Sequence, residues 1–474
     1  MKSVLRLCVG LLLVVGLFAC ATFPENPKLE KHDPAQGYRF DNLRPDAKNT
    51  DSLFVILTFS GGGTRAAAFS YGVMEVLRDT EIIWANQKKR LLDEVDIISS
   101  VSGGSFTSAY YALHGDGLFD GSFERKFLNK DIEHDLFMQT LWPIHWLKLA
   151  GWSYGRSDLA AEYYDTSIFH GATYADLIKK NTRPLVILNA SNMSIGEPFA
   201  FIQDQFDLIC SDLTKLPIAR AVASSSAFPG ILTPLTYRNF AGTCDYQEPQ
   251  WVELANQDHR IAPERAKIAE RQRSYYSNNA WEVEKRYVHL IDGGVSDNIG
   301  LRGILFALQS GDSPYSLQKR INRQEIQKLL VIVVNAATDP ETNRDTKAKV
   351  PGLVDTLMTA ATIPLDRYSF DTVERARAIA KEYNDAVRTR KACESILQNT
   401  CPEAKLPGKD LYAVDIYVSH ISLDLIEDPK TRFYFKNLST TFKLPVDTVK
   451  ALRSTAAELL QNDPEFNRLR EQLK

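Results

Sequence analysis

Cysteine and histidine are scarce, with six and eight residues in a chain of 474. There is no Cys-x-x-Cys and no pair of histidines spaced for one helical face, so a zinc or iron–sulfur centre has no donor set. No block of one charge sign stands out: 56 Lys and Arg face 59 Asp and Glu, a net charge of −3, which argues against a nucleic-acid partner. No internal repeat, low-complexity tract or calcium-binding loop is visible. The one marked apolar run near the N-terminus, Leu7 to Ala19, is too short to span a bilayer comfortably. What remains is ordinary globular composition, 44% hydrophobic and 24% charged, in a chain long enough for one large core or two domains.

The apolar run follows Lys2 and Arg6 and ends in Leu17-Phe18-Ala19-Cys20. This reads as a signal peptide over residues 1–19 with a bacterial lipobox, Cys20 becoming the lipidated first residue. A plain secretory signal with an incidental cysteine is the alternative. Ala21 stands where an inner-membrane-retained lipoprotein would carry aspartate, which favours the outer membrane. Residues 20–50 carry Pro24, Pro27 and Pro34 without an apolar period and are expected to be a tether. Export leaves Cys210, Cys244, Cys393 and Cys401 in an oxidising space. Their most local pairing is Cys210–Cys244 with Cys393–Cys401, a choice that spacing alone does not fix.

From residue 51 the chain is organised around Leu53-Phe54-Val55-Ile56-Leu57-Thr58-Phe59, a buried strand that breaks at Gly61-Gly62-Gly63 and restarts as a helix. Consecutive glycines at a helix N-terminus bare their backbone N–H groups, which is the build of an anion hole. Glu94 to Val101 is a second short strand, ending in Ser102-Gly103-Gly104 before another helix. Strand, turn and helix in close succession argue for a three-layer α/β/α fold with a mostly parallel central sheet. Further strands are expected at 184–190, 198–202, 286–291, 329–335 and 413–418, with a helix over 216–225. Residues 51–345 form the expected core, with an insertion at about 236–285 placed to gate the site. Residues 346–474 form a mainly helical C-terminal extension. The aromatic-rich stretch 119–164, with Trp142 and Trp146, suits either a lipid-facing surface or the domain's own core.

Ser102 sits where a strand becomes a helix, the context of a nucleophile elbow, although Ser100 replaces the usual first glycine. A serine nucleophile needs a base and an oxyanion hole. Gly61–Gly63 offers the hole. The base is either His420, which follows Asp415 in the chain order of α/β-hydrolases, or Asp292, which ends a strand before Gly293 and Gly294. His289 lies three residues before Asp292 and so points to the opposite face of that strand. A nucleotide site is disfavoured, because the glycine loop lacks the Lys-Ser pair of a P-loop.

Ser60-Gly61-Gly62-Gly63-Thr64-Arg65, the Ser102 elbow and Asp292-Gly293-Gly294, in this order, resemble the patatin-like phospholipase family. Pro184 to Phe199, Ala219 to Pro234 and Asn437 to Leu444 resemble further stretches of that family, the last of them in its bacterial lipoprotein members. The resemblance implies a Ser–Asp dyad without histidine: Ser102 as nucleophile, Asp292 as base, and Gly61, Gly62 and Gly63 as oxyanion hole. It also implies Gly103 and Gly104 as elbow residues, Gly293 and Gly294 as the aspartate loop, and Arg65 as a support of the glycine loop or a contact to lipid phosphate. Ala66, and Asn298-Ile299 after the aspartate loop, depart from the common pattern. The expected activity is hydrolysis of carboxylic esters of a membrane lipid or lysolipid, with no metal or organic cofactor. Acyl transfer through the same dyad, and a catalytically silent lipid- or partner-binding lipoprotein, are the rival readings.

Overall fold

The computed structural model describes residues 23–474 except 46, 152, 256, 278–284, 312–315, 339–347, 349, 351, 402 and 404–413. Cys20 and Ala21 lie outside the described residues. The described residues form ten strands: β1 (Leu53–Phe59), β2 (Glu81–Trp84), β3 (Gln87–Arg90), β4 (Val95–Val101), β5 (Leu185–Asn192), β6 (Glu197–Ala200), β7 (Leu235–Arg238), β8 (Tyr287–Asp292), β9 (Lys328–Asn335) and β10 (Asp415–Ser422). β2 and β3 form a separate hairpin, and the other eight make one sheet in the path β10-β9-β1-β4-β5-β8-β7, with β6 on β5.

The five strands from β10 to β5 are parallel. β1 lies inside this array and all seven of its residues are buried. That is why its sequence is continuously apolar instead of alternating: helices cover both faces. Full burial of each large side chain contributes about 2 kcal/mol. The sheet turns antiparallel beyond β5, where β6 and β8 pair with it and β7 pairs with β8. The expected mostly parallel α/β sheet is therefore present, with an antiparallel edge.

Residues 23–50 do not behave as a free tether. Tyr38 and Leu43 are buried in the core, the Val186 N–H donates to Tyr38 Oη at 2.8 Å, and the Arg39 guanidinium pairs with Asp204 and Asp207 at 2.5 Å each. Isolated anchors without a period hold this segment, so a periodic pattern could not reveal it. Within the expected insertion, residues up to Arg238 belong to β7. The helices Gln250–Ala255 and Pro263–Tyr276 follow.

Cys210 and Cys244 are disulfide-bonded across 34 residues, while Cys393 and Cys401 are free and exposed. The helix Leu353–Thr400 explains the second result. Eight residues of helix separate those two cysteines by about 12 Å, beyond disulfide reach. None of the described helices is long and apolar enough to cross a membrane.

The aromatic stretch divides between the two expectations. Phe123, Phe127 and Tyr164 are core residues, whereas Phe137, Trp142 and Trp146 are about three-fifths exposed, at 61%, 64% and 59%. These three lie on the short helices Ile132–Thr140 and Pro143–Leu149 or between them.

The disulfide closes a loop whose chain entropy corresponds to about 4 kcal/mol. Cys244→Ala is expected to lower unfolding free energy by about that amount in a denaturant titration under oxidising conditions. It should have no added effect once the wild type is reduced.

Candidate active site

Ser102 caps the helix Gly103–His114 with φ 50° and ψ −117°. This backbone state is rare for a residue with a side chain and persists only where neighbours enforce it. Three contacts do so. The Ser102 N–H donates to Ser225 Oγ at 2.9 Å, and Ser225 Oγ donates to the Asn189 carbonyl at 2.6 Å. Gly103 lies so close to the glycine loop that a methyl group there would sit 2.1 Å from the Gly63 carbonyl oxygen. Ser100, the departure from the usual elbow, is buried with its Oγ 2.6 Å from Ser108 Oγ on the following helix. Its side chain is absorbed by hydrogen bonding, so no glycine is required there.

Asp292 reaches the elbow through strand topology. Asn189 pairs with Val101 of β4 and with Ala200 of β6. Ala190 pairs with Phe199 of β6 and with Asp292 of β8. A strand has only two edges, so β4 and β8 share one edge of β5 and meet end to end. The antiparallel run of β8 brings its last residue to the point where β4 gives way to Ser102. Asp292 is 4% exposed. Its Oδ1 accepts from the Gly294 N–H at 2.8 Å, and its Oδ2 is buried without a hydrogen-bond partner. Burial pushes the carboxyl up to about 6, against the Gly294 N–H and the nearby Ser102 hydroxyl, which both favour the carboxylate. The Ser102 hydroxyl therefore acts on the carboxylate without forming a complete hydrogen bond in this state.

The glycine loop forms the third side. A methyl at Gly61 would lie 3.3 Å from Ser102 Cβ. The Gly61 N–H donates to the Asn298 carbonyl at 3.0 Å, so it is already committed and not free for an oxyanion. Gly62 has φ 135°, a conformation that demands glycine. Among the described residues the N–H groups of Gly62 and Gly63 have no acceptor.

Arg65 is buried at 2% exposure and turned away from any approaching ligand. Its guanidinium donates to the carbonyls of Ala336 at 2.8 Å, Leu438 at 2.7 Å and Ser439 at 3.3 Å. Burial pulls its pKa down to about 10, with Asp366 opposing. Of the two roles the resemblance implies for Arg65, these contacts fit loop support, because backbone carbonyls take up the guanidinium. The next N–H, that of Thr64, donates to Thr441 at 2.9 Å. Phe442 packs edge-on against Phe106 and Phe127, with centroids 5.5 and 6.1 Å away.

Residues 57–305, more than half of the chain, match the family model described as patatin-like phospholipase. The chain belongs to this family. Its members are lipid acyl hydrolases, and the match runs from β1 through the elbow to the helix after Asp292. No curated protein matches the chain significantly. Among solved structures it is similar to human GIVD cytosolic phospholipase A2, at 11% identity and a TM-score of 0.42, covering 89% of this chain. The chain spans 60% of the length of that structure. It is also similar to VipD from Legionella pneumophila, at 10% identity and a TM-score of 0.24, covering 92% of this chain and 71% of the other.

In this patatin-like core neither histidine joins the site. His289 is exposed on β8, with Nδ1 3.1 Å from Thr236 Oγ1. His420 is on β10, in register with Val333, Thr58 and Ser99 across three strand spacings, about 14 Å from β4. Burial lowers its pKa to about 4, leaving it a neutral ring.

Ser225 and Asn298 were not expected at the site. Ser225 lies in a stretch that carries the family resemblance and Asn298 follows the aspartate loop where the pattern departs, and both roles depend on loops far apart in sequence. Ser225→Ala leaves a buried N–H and a buried carbonyl unpaired. It is expected to cost about 2 kcal/mol of stability in denaturant unfolding, with Ser225→Thr retaining more of it than alanine.

Proposed function

We propose that this protein hydrolyses carboxylic esters of a membrane lipid or lysolipid, with Ser102 as nucleophile and Asp292 as its base. The observation that carries the reading is Asp292 Oδ2: a buried, unpartnered carboxylate oxygen beside the elbow serine, with a pKa raised to about 6. Such a group is ionised at neutral pH yet basic enough to take a proton. Ser102 Oγ attacks the acyl carbonyl carbon as its proton passes to Asp292. The Gly62 and Gly63 N–H groups hold the oxyanion. Collapse breaks the ester bond, and the departing alcohol takes the proton from Asp292. Water, deprotonated by Asp292, then adds to the acyl-enzyme and releases the fatty acid and free Ser102. Family membership supports the lipid ester as substrate class.

A fluorophosphonate probe is expected to label the wild type and not Ser102→Ala. Asp292→Asn should lower ester hydrolysis by about a thousandfold, while His420→Ala leaves it intact. Equal labelling of Ser102→Ala would sink the assignment, and products carrying an added acceptor alcohol would identify acyl transfer instead. Activity should fall below about pH 6, as Asp292 takes up the proton that disables it. The same shift opposes stability: the folded state keeps this proton longer than the unfolded chain, so the group's contribution declines as pH rises from the ordinary carboxyl value through about 6.

We also propose that the protein is an exported lipoprotein, anchored through Cys20 and facing the periplasm, with Ala21 favouring the outer membrane. The Cys210–Cys244 disulfide supports an oxidising compartment. Radiolabelled palmitate should be incorporated into the wild type and not into Cys20→Ala. Labelling of both would exclude this anchor.

A further inference from the structure

The sheet face away from the helix Gly103–His114 borders a cavity of about 1050 Å3 that does not include Ser102 or Asp292. Its apolar surface includes Ile97, Leu185, Ile187 and Pro198, and the helices Pro263–Tyr276 and Arg302–Gln309 contribute the opposing side. This volume is at the upper end of what small-molecule pockets hold. The cavity is partly open to solvent, and a hydrocarbon chain entering it would take its apolar wall out of water.

The cationic groups around it are not equivalent. Arg39, Arg320 and Arg375 are tied to carboxylates, and Arg271 pairs with Glu197. The Arg302 guanidinium has no ion-pair partner among the described residues and lies over the Tyr368 ring at 5.3 Å. Asp297 feels the Arg302 charge without forming an ion pair with its guanidinium, and its oxygens accept the backbone N–H groups of Ile299 and Arg302 at 3.3 and 2.8 Å. Burial, and after it the Arg302 charge, hold the Arg271 pKa below its usual value. A head group with negative charge would complement Arg302, and a hydrocarbon chain would fill the space along Ile97, Leu185 and Ile187.

We infer that this cavity is a second lipid site, binding a single-chain anionic amphiphile with its head at Arg302 and its chain against the β4–β5 face. The site is connected to the elbow. Ser99 and Asn189 line the cavity. Asn189 Nδ2 donates to Ser99 Oγ at 3.0 Å and to the Ser100 carbonyl at 3.1 Å, and the Asn189 carbonyl accepts from the serine that fixes Ser102. The inference does not depend on Ser102 chemistry.

The test is calorimetric titration of the full chain carrying Ser102→Ala, which excludes turnover. Dodecanoate, lysophosphatidylglycerol and dodecyl maltoside are each added below their micelle concentrations. One saturable site is expected for at least one anionic amphiphile. The tighter of the two identifies a free carboxylate or a phosphodiester head as the natural source. Arg302→Gln should weaken binding by roughly tenfold. Ile187→Trp, or Ile187→Phe if the larger ring prevents folding, should weaken it by a similar factor by filling the cavity. Thermal unfolding confirms that each variant is folded, and Trp142→Ala should bind as the parent does. Absence of saturable binding by both anions would overturn the inference. So would binding indifferent to the Arg302 and Ile187 changes, or equal affinity for the uncharged maltoside. Failure of Ser102 labelling in the wild type would bear on the hydrolase reading alone.

Discussion

The site depends on two strands ending against each other. β5 offers one edge to both β4 and β8, which arrive from opposite directions and stop at adjacent residues, Val101 opposite Asn189 and Asp292 opposite Ala190. Nothing flexible separates the elbow serine from the carboxylate, because both are strand ends fixed by the same backbone. This junction leaves little room for side chains. Methyl groups at Gly103 or Gly293 would sit 2.1 Å from carbonyl oxygens of Gly63 or Asn189. The glycines thus answer a packing demand before any chemical one.

Electrostatics at the junction follow from that crowding. Excluding water raises the Asp292 pKa, and one backbone N–H at Gly294 limits the rise. Had both carboxylate oxygens been bonded, the group would be a weaker base. Leaving Oδ2 unpaired costs stability and retains basicity, a trade common at functional sites.

Much of this was legible in the sequence. The seven apolar residues of β1, the glycine run and the strand-to-helix turn at Ser102 each carry a local signal, and their order carries the family. The less legible parts are long-range. No local pattern says that β8 runs antiparallel, since the side-chain alternation of a strand looks similar in either direction. The resemblance favours Gly62 and Gly63 over Gly61 as donors, but nothing local shows that the Gly61 N–H is spent on Asn298. Arg65 reads as either a loop support or a phosphate contact, and the choice depends on carbonyls of Ala336, Leu438 and Ser439, far away in the chain. The packing of segment 23–50 is hidden for the same reason: its anchors, Tyr38 and Arg39, find partners more than a hundred residues away.

The contact between Arg65 and Leu438 spans 373 residues. Thr64 and Thr441 meet beside it, so the loop bearing the Gly62 and Gly63 donors acquires its last supports from the end of the chain. A polypeptide is made from its N-terminus. The elbow and the aspartate therefore emerge long before the final brace does. The glycine loop takes its final form only once the chain has been made as far as Thr441.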